Sequence, residues 1–124
     1  MSIRQEIVAV VDDDREMRMS IASLLSACGY GTETFDSATA FLNAAEASQA
    51  TCLVVDIQLG DISGLELARQ LAVDGFMYPI IFMTARDDES IRRQAAAAGG
   101  VGFLSKPFPE QLLIEAITKA IGCL

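Results

Sequence analysis

The side chains with chemical potential in this chain stand at the ends of its apolar runs. IVAVV closes on Asp12 and Asp13, CLVV on Asp56, PIIFM on Thr84 and GFLS on Lys106. Carboxylates, a hydroxyl and an ammonium are groups that handle a metal ion or a phosphoryl group, and open parallel α/β sheets bind ligands at the rim where their strands end. Three carboxylates gathered there repel by about 4 kcal/mol per close pair at an effective dielectric of about 20, so they must take protons or recruit a cation. Hard oxygen donors without histidine or thiolate select Mg²⁺ (or Mn²⁺), and Mg²⁺ usually keeps positions for water and phosphate. A carboxylate nucleophile, a bridging cation and a lysine are the parts an in-line phosphoryl displacement needs.

The elements that must position these residues follow from periodicity. Short apolar runs alternate with stretches whose apolar residues recur at helical spacing, five of each, as in a βαβ series. Strands are expected at about 7–12, 31–35, 52–56, 80–84 and 102–105. Met17, Ile21, Leu24, Leu25 and Cys28 mark one face of a helix over about 15–28 that Gly29 ends. Ser37 reads as the N-cap of a helix carrying Phe41, Leu42 and Ala45, and Ser63 with Glu66 as a capping box for a helix reaching about 73. Asp87 or Asp88 caps a helix with Ile91, Ala95 and Ala98 on one face, stopped by Gly99 and Gly100. Pro109 suits the first turn of the last helix, whose Leu113, Ala116, Ile117 and Ala120 face the sheet. Right-handed crossovers, with the second and fifth strands as the less apolar edges, give a three-layer, doubly wound, five-stranded parallel sheet of flavodoxin-like α/β type, order 2-1-3-4-5. That order sets the first and third strands side by side, bringing Asp12 and Asp13 beside Asp56, with Thr84 one strand further and Lys106 two.

Composition narrows the function. A chain of 124 residues reads as one domain, 1–124, and its 52% apolar content holds no run of about 18 apolar residues that would span a membrane. Acids follow the first apolar run directly, so no secretory signal is expected, and the expected address is cytoplasmic. The net charge of −8 opposes direct contact with nucleic acid or an anionic membrane face. Cys28, Cys52 and Cys123 lack metal-ligand spacing and read as free or buried thiols, and the absence of histidine excludes histidine general-base and zinc-histidine chemistry.

VVDDDREMR, VVDIQLGDISG, IIFMTAR and GFLSKPF together resemble the receiver domain of bacterial two-component response regulators, over nearly the whole chain. The resemblance implies that Asp56 accepts a phosphoryl group from the phosphohistidine of a sensor histidine kinase or histidine phosphotransfer protein. It further implies Mg²⁺ held by Asp12, Asp13, Asp56 and the backbone carbonyl of Gln58. Thr84 and Lys106 correspond to the groups that hold phosphoryl oxygens, Phe103 to an aromatic switch, and the Lys106-Pro107 bond to one often cis. Gln58 and Arg86 fall where the family tunes the lifetime of the acyl phosphate. The face made by the fourth helix, last strand and last helix would be the output surface, with homodimerisation on phosphorylation as a further expectation. KPFPEQLLIEAI resembles the last helix of receivers joined to helix-turn-helix modules. One departure is Gly60, where the family commonly carries proline; it bears on loop stiffness and removes no reacting group.

Plainer readings compete. Asp14 reads as a helix cap only, and Arg92 and Arg93 as a solvated helix face or a partner contact. The glycine-rich 99–102 precedes a strand, whereas a dinucleotide fingerprint must follow one. The alternative function is a Mg²⁺-dependent phosphatase with an aspartyl-phosphate intermediate. Haloacid-dehalogenase-like phosphatases, however, usually place a second acid where this chain has Gln58. A flavodoxin-like cofactor binder needs a phosphate loop after the first strand, where acids stand instead.

Overall fold

A computed structural model of the chain describes residues 5–122. Strands β1 (Ile7–Val11), β2 (Gly31–Phe35), β3 (Cys52–Asp56), β4 (Ile80–Thr84) and β5 (Gly100–Ser105) alternate with helices α1 (Arg15–Ala27), α2 (Ala38–Ala44), α3 (Gly64–Val73), α4 (Glu89–Ala97) and α5 (Glu110–Gly122). The strands form one sheet in the order β2-β1-β3-β4-β5, all neighbours parallel. This is the doubly wound arrangement expected from the apolar pattern.

The two-residue period of a strand divides the core in two. Ala9, Val11, Leu53, Val55 and Phe82 face a cluster with Phe41, Leu67, Leu71 and Ala95, on the side of α2, α3 and α4. Val8, Val10, Val54, Ile81 and Met83 face Ile21, Leu25, Leu113 and Ile117 from α1 and α5. Strands β3 and β4 are buried at every position, whereas the edge strand β2 has none fully buried.

Helix starts obey local chemistry. Asp14, Ser37, Ser63 and Asp88 are N-caps whose side chains accept amide hydrogens of the first turn. The caps expected at Ser37, Ser63 and Asp88, and the capping role of Asp14, are all present. Ends are set by Gly29 and Gly99, both at positive φ, +91° and +90°. Three details differ from expectation. Helix α1 stops at Ala27, so Cys28 is its exposed C-cap and not a member of its buried face. Strand β5 begins two residues early, at Gly100, with a register irregularity opposite Ile80 and Ile81. The reason is steric: a Cβ at Gly100 would meet the Phe82 ring at 2.7 Å, so only glycine lets the strand run flush there. Helix α5 begins at Glu110, placing Pro109 just before its first turn. Cys123 lies outside the described residues.

Candidate functional site

Register brings the strand ends level. Val11 pairs with Val55, so Asp12, the next residue, reaches the height of Asp56, while Thr84 pairs with Ser105, whose successor is Lys106. At this rim one carboxylate oxygen from each of Asp12, Asp13 and Asp56 lies within 4.8 Å of the others. Asp12 is fully buried, Asp56 is 6% exposed, and Asp13 faces solvent.

Lys106 closes the floor of the cup. Its Nζ donates to Asp12 Oδ2 and to Asp56 Oδ2, each at 2.8 Å. The second oxygen of each acid is held by the loop that follows it: the amide of Asp14 donates to Asp12 Oδ1 at 2.9 Å, and that of Gln58 to Asp56 Oδ1 at 3.0 Å. Arg18, from the second turn of α1, donates to the Asp12 carbonyl at 2.8 Å and ties that helix to the loop.

The electrostatics follow from sharing. Burial raises the Asp56 carboxyl above its ordinary value; the hydrogen bond from Lys106 opposes this, and the charge of Asp12 adds to it. Burial also works against the Lys106 ammonium, but its hydrogen bonds to Asp12 and Asp56 outweigh that and hold it above its usual value. Asp56 thus rises through burial and the neighbouring charge of Asp12, and Lys106 through its two acidic partners. With all three acids ionised, Lys106 leaves two negative charges uncompensated, and a divalent cation on the hard oxygen donors matches that deficit.

Thr84 belongs to a second cluster. Its hydroxyl is fully buried and lies 2.9 Å from Gln58 Oε1 and 3.1 Å from the Arg86 carbonyl, to either of which its one proton can be donated, while accepting from the Arg86 amide at 2.9 Å. Gln58 bridges the clusters, its amide on Asp56 and its side chain on Thr84. The Arg86 guanidinium turns outward to Asp88 at 3.4 Å, so only its backbone touches the site. Phe103 is half-buried on β5, with the Arg92 guanidinium above its ring. The Lys106-Pro107 bond is cis. Gly60 has no atom nearer to a built Cβ than Asp13 Oδ2 at 3.7 Å.

The family model described as the response regulator receiver domain matches residues 8–118. The chain belongs to that family. Its receiver fold is shared with the crystal structure of FixJ-N, at 35% identity, TM-score 0.90, and 98% coverage of each chain. Response regulator protein TodT of Pseudomonas putida is 37% identical over 98% of this chain and 53% of its own length. Transcriptional regulatory protein FixJ of Bradyrhizobium diazoefficiens is 36% identical over 92% of this chain and 56% of its own. The receiver domain therefore spans about half the length of the curated relatives it matches.

Several residues around the receiver site gave no sequence signal. Arg18 reads as a surface cation, and nothing in its spacing announces a bond to a backbone carbonyl. Asp61 receives the amides of Ala38 and Thr39 and the Thr39 hydroxyl, and so closes the start of α2 from a distant loop. Those bonds hold its carboxyl well below the usual range. Arg92 is not a free helix-face cation but is bound to Asp87.

Proposed function

We propose that residues 1–124 form the phosphoacceptor module of a two-component phosphorelay, with Asp56 as the residue that takes the phosphoryl group. A carboxylate oxygen of Asp56 forms a bond to phosphorus as the P–N bond of a donor phosphohistidine breaks, its electron pair leaving on the imidazole nitrogen. The donor is a sensor histidine kinase or a histidine phosphotransfer protein. Asp12, Asp13, Asp56 and the Gln58 carbonyl would hold Mg²⁺ (or Mn²⁺), which when bound offsets the negative charge of the acids and the incoming phosphoryl group. Lys106 stays protonated, steers the nucleophile and offers its ammonium to a phosphoryl oxygen. The observation that carries this reading is the Lys106 ammonium at 2.8 Å from both buried acids, with Asp13 open to solvent at the rim.

Once Asp56 carries the group, Thr84 exchanges its bonds to Gln58 and the Arg86 carbonyl for one to a phosphoryl oxygen. Movement of that loop lets Phe103 turn inward and remodels the α4–β5–α5 surface for output, including homodimerisation. Gln58 and Arg86 tune the lifetime of the acyl phosphate. FixJ is named a transcriptional regulatory protein, and we infer a similar output here, with the receiver acting in the cytoplasm and making no contact with nucleic acid or membrane itself. No helix among the described residues is long and apolar enough to cross a membrane. The phosphatase reading is not favoured: Gln58, standing where such enzymes place a second acid, is engaged with Thr84. Mass spectrometry after acetyl phosphate and Mg²⁺ tests the proposal. One added phosphoryl group is expected, abolished by Asp56→Asn and by chelation; full labelling of the Asp56→Asn variant would overturn it.

A further inference from the structure

Arg92 sits at a knot of three elements. Its Nε donates to Asp87 Oδ1 at 2.7 Å and its Nη2 to Asp87 Oδ2 at 2.8 Å, a bidentate pair that fixes the guanidinium plane. Its Cζ lies 4.6 Å from the centre of the Phe103 ring. Asp87 Oδ2 also accepts from the hydroxyl of Ser105, two residues beyond Phe103 on the same strand. The loop after β4, helix α4 and strand β5 thus meet on one ion pair. Arg92 and Asp87 hold each other ionised, with Asp87 pushed down to about 2. A cavity of about 260 Å³ opens between α4 and β5, lined by Arg92, Ala95, Gly100 and Phe103 among others.

The knot is coupled to the phosphoryl-binding hydroxyl by one short stretch of chain. Thr84 grips the amide and carbonyl of Arg86, and Asp87 is the next residue. A Thr84 that turns toward Asp56 must release or drag that stretch, and Asp87 cannot shift without moving the guanidinium that covers Phe103. Guanidinium groups are weakly hydrated and favour aromatic faces, so the contact resists displacement of the ring.

We propose that Arg92 is a positioning residue: held by Asp87 and Ser105, it clamps Phe103 in the unphosphorylated arrangement and sets how strongly the switch is biased against activation. The proposal rests on the switching reading above and names the group that opposes the switch. A contact made only in the resting arrangement lowers the apparent affinity for any ligand that favours the other, by the factor with which it biases the two.

Beryllofluoride with Mg²⁺, a phosphoryl mimic, is the probe, titrated into protein labelled with fluorophenylalanine and followed by ¹⁹F NMR. The Phe103 resonance is assigned by its loss in Phe103→Leu. Arg92→Met keeps the stem and removes the guanidinium; Asp87→Asn keeps the shape and loosens its grip. Both are expected to shift the Phe103 resonance of the ligand-free protein toward its beryllofluoride-bound position. Both should tighten beryllofluoride binding about two- to five-fold, the range for one exposed cation–π contact. The tightening should vanish when Arg92→Met is made in a Phe103→Leu background, which separates a clamp on the ring from a general loosening of α4. An unmoved Phe103 resonance in ligand-free Arg92→Met overturns the clamp, as does unchanged affinity, or equal tightening with and without Phe103. Wild-type protein that binds no beryllofluoride overturns the phosphoacceptor reading instead, and an unmoved ligand-free Phe103 resonance in Arg92→Met still overturns the clamp.

Discussion

Gly64 is the position where one added methyl should damage both the fold and the site. It opens α3, and its amide donates to the Ile57 carbonyl at 2.9 Å, so the helix start lies directly on the end of β3. A Cβ built there falls 2.3 Å from the Asp56 carbonyl oxygen and 2.8 Å from Val55 Cγ1. Restoring ordinary carbon–oxygen contact requires roughly 1 Å of movement, and neither partner is free to give it. Helix α3 is fixed by buried Leu65, Leu67, Ala68 and Leu71, and β3 by pairing on both sides. Overpacking of this kind costs about 1–3 kcal/mol, and the backbone clash places Gly64→Ala near the top of that range. With a urea dependence of about 2 kcal/mol/M for a small domain, the unfolding midpoint should fall by about 1.5 M. The strain falls on Asp56, the proposed nucleophile, and a misplacement of about 1 Å can cost on the order of 100-fold in rate. Phosphoryl uptake from acetyl phosphate, timed by mass spectrometry, should therefore slow by about that factor while the protein remains folded in dilute buffer. Gly60→Ala is the control, since its Cβ meets nothing closer than 3.7 Å and the residue has no positive φ; its midpoint and rate should stay near wild type. A Gly64→Ala protein with unchanged midpoint and rate would refute the steric argument.

Lys106→Met removes the cation shared by two acids and should destabilise the metal-free protein by about 3 kcal/mol, the low end for a broken buried pair because the rim is open to water. Mg²⁺ should restore more stability to this variant than it adds to wild type; paired urea titrations with and without Mg²⁺ would show the reverse if Lys106 were a bystander. Asp61→Asn should lower the unfolding midpoint at neutral pH, since an amide cannot accept at all the positions the carboxylate occupies. The sign with pH follows from its depressed folded value: the contribution is full above the unfolded carboxyl value near 3.8 and is lost as pH falls toward the folded one. Wild type should thus lose more stability than Asp61→Asn below about pH 4, and parallel acid limbs would sink this assignment. Thr84→Ala should still accept a phosphoryl group at Asp56 while the Phe103 resonance responds less to it; an undiminished response would remove Thr84 from the switch.

The fold was legible because the signals that specify it are local and repeated. Runs such as CLVV and IIFM are apolar throughout, which only strands covered on both faces tolerate, and each intervening helix carries a cap residue at its start. The strand order followed from which runs are least apolar, and with it the gathering of Asp12, Asp13, Asp56 and Lys106. What could not be read are contacts whose partners are far apart in sequence and ordinary in type. The bond from Arg18 to a loop carbonyl, the closure of α2 by Asp61 and the tie between Arg92, Asp87 and Ser105 depend on side-chain reach across elements, which no periodicity encodes. The early start of β5 depends likewise on the space beside Phe82, set by packing and not by the preferences of a glycine pair.

The same contrast explains why residue types at the strand ends describe the parts of the site but not its resting state. Asp56 and Lys106 are already bonded, whereas Thr84 is turned away into a cluster with Gln58 and Arg86. A hydroxyl has one proton to donate. While Thr84 donates to Gln58 or to the Arg86 carbonyl, it cannot donate to an oxygen on Asp56, so engagement there is an exchange of partners and not an added contact. The net gain is then a difference between two hydrogen bonds, with the charge on the phosphoryl oxygens supplying the surplus, because charge-assisted bonds are about twice as strong as neutral ones. Under the switch proposed above, that difference is small enough for one surface cation over Phe103 to influence it, which is how the proposed Arg92 clamp would set the balance.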